Sequence, residues 1–256
     1  MVQFSGGVTS WAAARRLVDA HGPDEVLLLL ANTNSEATDW MPFVRACQAD
    51  LGCELVELDN GGRTIWDVFA EEGFIGNSRV DICSRILKRD PLRKWITEHC
   101  DPDYHRLVMG FDWEEEHRMA RVSRLWEPWV VVAPMTEAPY LNKEQTLRLL
   151  KDHGIRVPLA YKQGFEHNNC AGTCVKAGQA HWQQVLIRRP VDYLRAEKEE
   201  QKLREKLGDV SILVEQIKGE KVPLSLSSFR ERLGYDLSDY DHDDFGSCSC
   251  MDGYDS

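Results

Sequence analysis

The stretch VQFSGGVTSW, residues 2–11, decides how the rest of the chain is read. VQF makes a short strand stub, and TSWAAARRL (9–17) is rich in alanine and ends in arginines, as a helix does. Between them stand two adjacent glycines, which accept positive φ without steric cost. A plain tight turn would need nothing more. A strand–glycine–helix junction also gathers backbone N–H groups and the positive end of a helix dipole at one point, which is a cradle for phosphate. Ser5, Thr9 and Ser10 add hydroxyls around Gly6 and Gly7.

Working outward, EVLLLLANT (25–33) is an unbroken apolar run, the pattern of a strand buried on both faces of a parallel sheet. TDWMPFVRACQADLG (38–52) reads as a helix stopped by glycine, ELVELD (54–59) as a strand and TIWDVFAEEG (64–73) as a short helix. PLRKWITEHC (91–100) is a helix opened by Pro91, and RLVMGFD and WVVVAPM are two more strands. This alternation predicts an α/β fold, a doubly wound and mostly parallel sheet over residues 1–137. Its ligand is expected beyond the carboxyl ends of the strands, where the glycine loop lies. Residues 138–256 read as a helical, cysteine-bearing region packed on that domain. NKEQTLRLLKDHG has Asn142 as N-cap with Gln145 three residues on, and PVDYLRAEKEEQKLREKLG is a charged helix expected to face solvent.

Hydrophobic residues make up 43% of the 256 and charged residues 29%, ordinary values for a globular protein. The apolar runs fall short of the ~20 residues a bilayer demands. No basic leader precedes the fold, so a cytoplasmic protein without a membrane segment is expected. Net charge is −11, and seven Asp with no Lys or Arg fall within residues 236–256. A bulk nucleic-acid binder would be basic, so any such contact must use a local patch. SRILKRDPLRK (84–94) and Arg118, Arg121 and Arg124 are the candidates; the alternative for both is a solvated helix face.

Eight cysteines in a cytoplasmic chain argue against a disulfide framework. Cys47, Cys53 and Cys100 sit in helix and strand patterns and read as small buried hydrophobes. Cys170 and Cys174 lie in HNNCAGTCVKAGQAHW, next to His167 and upstream of His181, with small residues between the thiols that let backbone wrap an ion. Cys248 and Cys250 form CSC in an acidic, apolar-poor tail where packing is a poor reason for cysteine. Thiolate ligation would also hold such a tail to the body. Either zinc or an iron–sulfur cluster suits these ligands.

With loop, sheet and cysteines in hand, the sequence resembles the PP-loop ATP pyrophosphatases, in their phosphoadenylyl-sulfate reductase-like branch. SGGVTS (5–10) is similar to the family's S-G-G-x-[DT]-S loop, which implies that Ser5, Gly6, Gly7, Thr9 and Ser10 bind ATP and its leaving pyrophosphate. LLLANTNSEATDW resembles the second strand and its turn near the adenosine, with Asn32 where members often carry Asp. GFDWEEEHR (110–118) resembles a G-x-R-x-x-E-x-x-x-R region, implying nucleotide or substrate contacts for Gly110, Glu115 and Arg118; Asp112 replaces the first Arg. CSRILKRDPL (83–92) is similar to the C-C-x-x-R-K-x-x-P-L stretch of iron–sulfur adenylyl-sulfate reductases, with Ser84 at the second cysteine and Lys88 in register. The resemblance implies a [4Fe–4S] cluster on Cys83, Cys170, Cys174 and either Cys248 or Cys250, with zinc as the alternative metal.

The activity so implied is adenylylation of an acceptor by ATP with Mg²⁺, release of pyrophosphate, and displacement of AMP by sulfur. Ser10, Lys88, Cys248 and Cys250 are the candidate catalytic residues. A base in a nucleic acid is the expected acceptor, with Lys88, Arg89 and Arg93 near its backbone and a second copy of the chain as a possible partner. The alternatives are a reductase of adenylyl or phosphoadenylyl sulfate, whose terminal E-C-G-x-H motif is missing here, and a non-catalytic nucleotide- or metal-binding module. Neither the acceptor nor the sulfur donor is named by the sequence.

Overall fold

A computed structural model describes residues 1–77 and 80–236. The strands are β1 (Val2–Gln3), β2 (Leu27–Ala31), β3 (Glu54–Leu58), β4 (Arg106–Val108), β5 (Val130–Val132), β6 (Leu213–Ile217) and β7 (Glu220–Leu224). The helices before β4 are α1 (Val8–His21), α2 (Trp40–Leu51), α3 (Ile65–Glu72), α4 (Ile82–Ser84) and α5 (Asp90–His99), with a π-helical turn at Arg85–Arg89. Those after it are α6 (Met119–Leu125), α7 (Lys143–Asp152), α8 (Leu159–Lys162), α9 (Gln179–Arg188), α10 (Pro190–Leu207) and α11 (Leu226–Arg232). The chain forms two compact units, one of Met1–Val68 with Asp81–Gly172, the other of Phe69–Val80 with Thr173–Ser256.

The first unit is an open α/β sheet in the order β3-β2-β1-β4-β5, and every pairing is parallel. Side chains alternate along a strand, and β2 shows what this does. Leu28 and Leu30 enter a core with Val8, Trp11 and Phe43, whereas Leu29 and Ala31 enter another with Leu92, Ile96 and Trp126. Helices α1, α2 and α7 therefore cover one face and α5 and α6 the other, which is the doubly wound arrangement expected of an apolar run buried on both sides. Strand order reverses between β1 and β4, so the crevice at their carboxyl ends is the switch point of the sheet.

The second unit packs α9, α10, α11 and the antiparallel hairpin β6–β7. The hairpin adds two strands to the region expected to be helical. Its turn, Lys218–Gly219, runs at φ 52° and 88°, the doubly left-handed geometry of a two-residue hairpin. A correction concerns α10. Despite its charge it buries Tyr193, Leu194, Ala196, Leu203 and also Glu200. The Glu200 carboxylate accepts from the backbone N–H of Ile212 and of Leu226, both at 2.6 Å, and so ties the ends of the hairpin segment to the helix.

Candidate functional site

The glycine loop turns at Gly6, whose φ is +70°, where a Cβ would fall 2.1 Å from Nε1 of Trp40. That indole is 3% exposed and donates to the Ser5 carbonyl at 3.3 Å, so the first turn of α2 clamps the loop. Gly7, at φ −106°, is the N-cap of α1. Ser10 is buried and its hydroxyl donates to the Gly7 carbonyl at 2.8 Å, with Ser5 Oγ 3.3 Å away. Of the first-turn amides, which have no intrahelical acceptor, that of Val8 donates to Tyr161 Oη at 3.2 Å.

The loop opens on a cavity of about 880 Å³ at the switch point, lined on the β1 side by Gln3, Ser5, Gly7 and Thr9 and on the β4 side by residues 109–115. A larger cavity of about 1590 Å³ lies at the amino ends of the strands, beside Leu27, Glu54 and Arg106, on the far side of the sheet from the loop. Ligands of open α/β sheets sit at the carboxyl ends, so the smaller cavity is the candidate site. Gly110 is fixed by proximity, because a Cβ there would lie 2.7 Å from the Cα of Ser10. Asp112 caps the short 3₁₀ helix Trp113–Arg118, accepting from Glu114 N–H at 3.1 Å in a capping box with Glu115. This local role accounts for an acid where the resemblance has arginine. Arg118 pairs with Glu115 and lies over the Phe111 ring at 4.3 Å. Lys143, from the first turn of α7, lies 3.5 Å from Thr9 Oγ1 and 5.7 Å over the Tyr161 ring. Burial pushes the Tyr161 phenol up and keeps it neutral, against the N–H bond from Val8.

Asn32 lies beyond β2, on the other side of the loop. Its Nδ2 donates to Glu57 at 3.0 Å and its Oδ1 accepts from Asn34 N–H at 2.9 Å, so both ends serve the turn. Lys88 stands in the π-helical turn and pairs with Glu36 at 3.3 Å. The Glu36 side chain is 3% exposed and also accepts from Thr33 Oγ1 at 3.0 Å and from the backbone N–H of Cys170. Burial pulls the Lys88 ammonium down, and Glu36, Cys170 and Cys83 outweigh it, leaving its pKa raised. Cys170 and Ala171 run at φ 51° and 50°, and Gly172 at 77°, three successive left-handed residues anchored to Glu36. Cys83 and Cys170 are thus gathered about Lys88 in the first unit, and Cys174 follows, half-buried, in the second. Cys248 and Cys250 lie outside the described residues. Among the described residues no three His, Cys, Asp or Glu side chains meet to hold a metal ion, so these residues alone do not assemble a four-thiolate cluster site.

Cys47, Cys53 and Cys100 are buried, as their patterns suggested. In the basic patches, Arg89 pairs with Asp81, Arg93 lies over Trp126 at 4.9 Å, and Lys94, Arg121 and Arg124 are exposed. Among the described residues no helix is long and apolar enough to cross a membrane. Sequence reasoning did not find Trp40, Lys143, Tyr161 or Glu36. Trp40 and Glu36 look like ordinary core and turn residues, and the other two reach the loop from more than a hundred residues away.

The fold and site together define an open parallel α/β sheet with a glycine loop at its switch point. No known family model and no curated protein matches the chain. Among solved structures it is similar to a phosphoadenylyl-sulfate reductase from Candida auris in a phosphate complex, at 12% identity and a TM-score of 0.47 over 64% of this chain and 78% of that one. It is similar also to the U34-tRNA thiolase NcsA from Methanococcus maripaludis with its [4Fe–4S] cluster, at 12% identity and a TM-score of 0.45 over 80% of this chain and 69% of that one.

Proposed function

We propose that the chain is a PP-loop enzyme that adenylylates an acceptor with ATP and releases pyrophosphate, in the service of sulfur transfer to a nucleic-acid base. The observation that carries this reading is the glycine loop itself. It is held by Trp40, sits at the switch point, and opens on a cavity with the N-terminus of α1 on one side and the Lys143 ammonium on the other. Backbone N–H groups at a helix start and a nearby cation suit a polyphosphate.

In the reaction a carbonyl oxygen of the acceptor attacks the α-phosphorus of ATP, and the bond to the bridging oxygen of pyrophosphate breaks. Charge builds on the leaving oxygens, where the Thr9 hydroxyl, the amides of the loop and Lys143 stabilise it; preorganised donors of this kind usually lower such barriers more than any other effect. Mg²⁺ on ATP would share that charge. A sulfur nucleophile then displaces AMP from the adenylylated carbon. Cys83 and Cys170, gathered about Lys88, supply the sulfur-facing chemistry of the reading. The described residues do not complete a cluster, so no step is drawn through one.

The test is pyrophosphate release from ATP and Mg²⁺ on addition of RNA or DNA. Acceptor-dependent release supports the proposal. Sulfite release from an activated sulfate, with no pyrophosphate formed from ATP, would replace it with a reductase.

A further inference from the structure

Tyr161 reaches the glycine loop from the single-turn helix α8, and the fold does not use up its hydroxyl. The turn is fixed at both ends. The backbone N–H of Leu159 donates to Asp39 Oδ2 at 2.7 Å, and that of Phe165 to the Ala160 carbonyl at 2.9 Å. Ala160 is 1% exposed and Phe165 is buried with it, so α8 cannot swing without opening buried surface. The phenol oxygen is thereby held over Gly7, where a Cβ would come 3.6 Å from it. It accepts the N–H of Val8, the first residue of α1, at 3.2 Å, and Tyr161 lines the switch-point cavity beside Thr9 and Lys143.

A phenol carries one proton as well as its lone pairs. The Val8 bond uses a lone pair and leaves the proton, and among the described residues no protein group accepts it. First-turn amides of a helix lack an intrahelical acceptor and favour an anion. Tyr161 takes one of these amides and offers an O–H in its place, so the donor is moved outward and not lost. Two neighbours strengthen it. A hydroxyl that accepts a hydrogen bond becomes a better donor, and the Lys143 ammonium, 5.7 Å over the ring, draws electron density the same way. Burial holds the phenol's pKa above its ordinary value, so the group gives a hydrogen bond and keeps its proton. An oxygen that merely filled the anion's place would leave Lys143 unanswered, since that ammonium, 3.5 Å from Thr9 Oγ1, forms no ion pair among the described residues.

We propose that the Tyr161 hydroxyl is a further catalytic donor, hydrogen-bonded to a phosphate oxygen in the pyrophosphate half of the nucleotide. The inference rests on the phosphate reading of the loop and adds a residue from outside the loop and its helix. As the bond to the α-phosphorus breaks, charge grows on the pyrophosphate oxygens, and a donor already aimed there lowers the barrier. No bond to Tyr161 is made or broken.

Full-length protein is titrated calorimetrically with inorganic pyrophosphate and with α,β-methylene-ATP, each with Mg²⁺. Tyr161→Phe should weaken both about tenfold or more, the size of one hydrogen bond to a charged group. Tighter binding would overturn the proposal, since the oxygen then occupies the anion's place, and unchanged binding would overturn it equally. Tyr161→Phe also frees the Val8 N–H and loosens the loop, so a second variant keeps the oxygen. In it 3,5-difluorotyrosine replaces Tyr161, giving a phenol that ionises at lower pH. Its neutral form should bind pyrophosphate at least as tightly as the parent does. Relative to the parent at the same pH, affinity should then fall about tenfold as absorbance shows the phenol ionise. An ionised phenol that leaves affinity unchanged would restrict Tyr161 to holding the loop and overturn the proposal. Parent protein that binds neither ligand would sink the phosphate reading itself, a result distinct from a parent that binds and variants that do not respond.

Discussion

At Gly6 the backbone runs at φ +70° and a Cβ would sit 2.1 Å from an indole nitrogen that is itself buried, so neither the chain nor the neighbour can give way cheaply. Gly6→Ala should therefore push Trp40 off the Ser5 carbonyl and open the loop, with a strain of about 1–3 kcal/mol and a loss of α,β-methylene-ATP binding of at least tenfold. Gly7 differs. Its φ is −106° and the nearest atom to a Cβ is Ser5 Oγ at 3.3 Å, so Gly7→Ala should bind within a few-fold of the parent. Calorimetric titration of the two variants checks the pair, and equal losses would sink the distinction. Tyr161→Phe removes the acceptor of the Val8 backbone N–H. An orphaned donor costs about 1–3 kcal/mol, so the thermal midpoint should fall by several degrees, given about 2–4 °C per kcal/mol for a chain of this size.

Among the elements, those whose signal is carried by their own residues were legible. β2 announced itself by an apolar run that feeds two cores, and α7 by the Asn142–Gln145 capping box, which forms with 2.8 and 2.9 Å bonds. The hairpin β6–β7 was not read, because LVEQI and EKVPL carry charge and a proline and show little of the apolar alternation that marks a strand. What holds it is a partner elsewhere, Glu200. Burial holds this carboxyl above the ordinary range, against the two backbone N–H bonds, which favour the charged form. Its folded pKa thus exceeds its unfolded one. The stability linked to it is greatest below the usual Glu value of about 4.3 and declines as pH rises through the folded value. In Glu200→Gln that decline should vanish from urea melts taken across the window. The variant should also be weaker by about 1–3 kcal/mol, because its NH₂ meets one of the two N–H donors and leaves it unpaired.

For the whole molecule, the sheet and the loop could be read because order along the chain dictates them, whereas the site's contacts could not. Tyr161 meets Val8 across 153 residues, and Lys143 meets Thr9, and Cys170 meets Glu36, across 134. Such pairs leave no spacing signal in one sequence. The cysteines show where this matters most. The described residues gather Cys83 and Cys170 about Lys88 but bring no three ligands together, and a [4Fe–4S] cluster takes about four thiolates. A cluster on Cys83, Cys170 and Cys174 would then need a further thiolate, from Cys248 or Cys250. Protein purified without oxygen should carry about four iron atoms per chain and absorb in the visible, and Cys248→Ser/Cys250→Ser should lose both. Affinity for α,β-methylene-ATP should be unchanged, since the loop and its supports all lie within the first 161 residues. Iron retained by the double variant would remove the tail from the ligand set. A colourless parent holding zinc would remove the cluster itself.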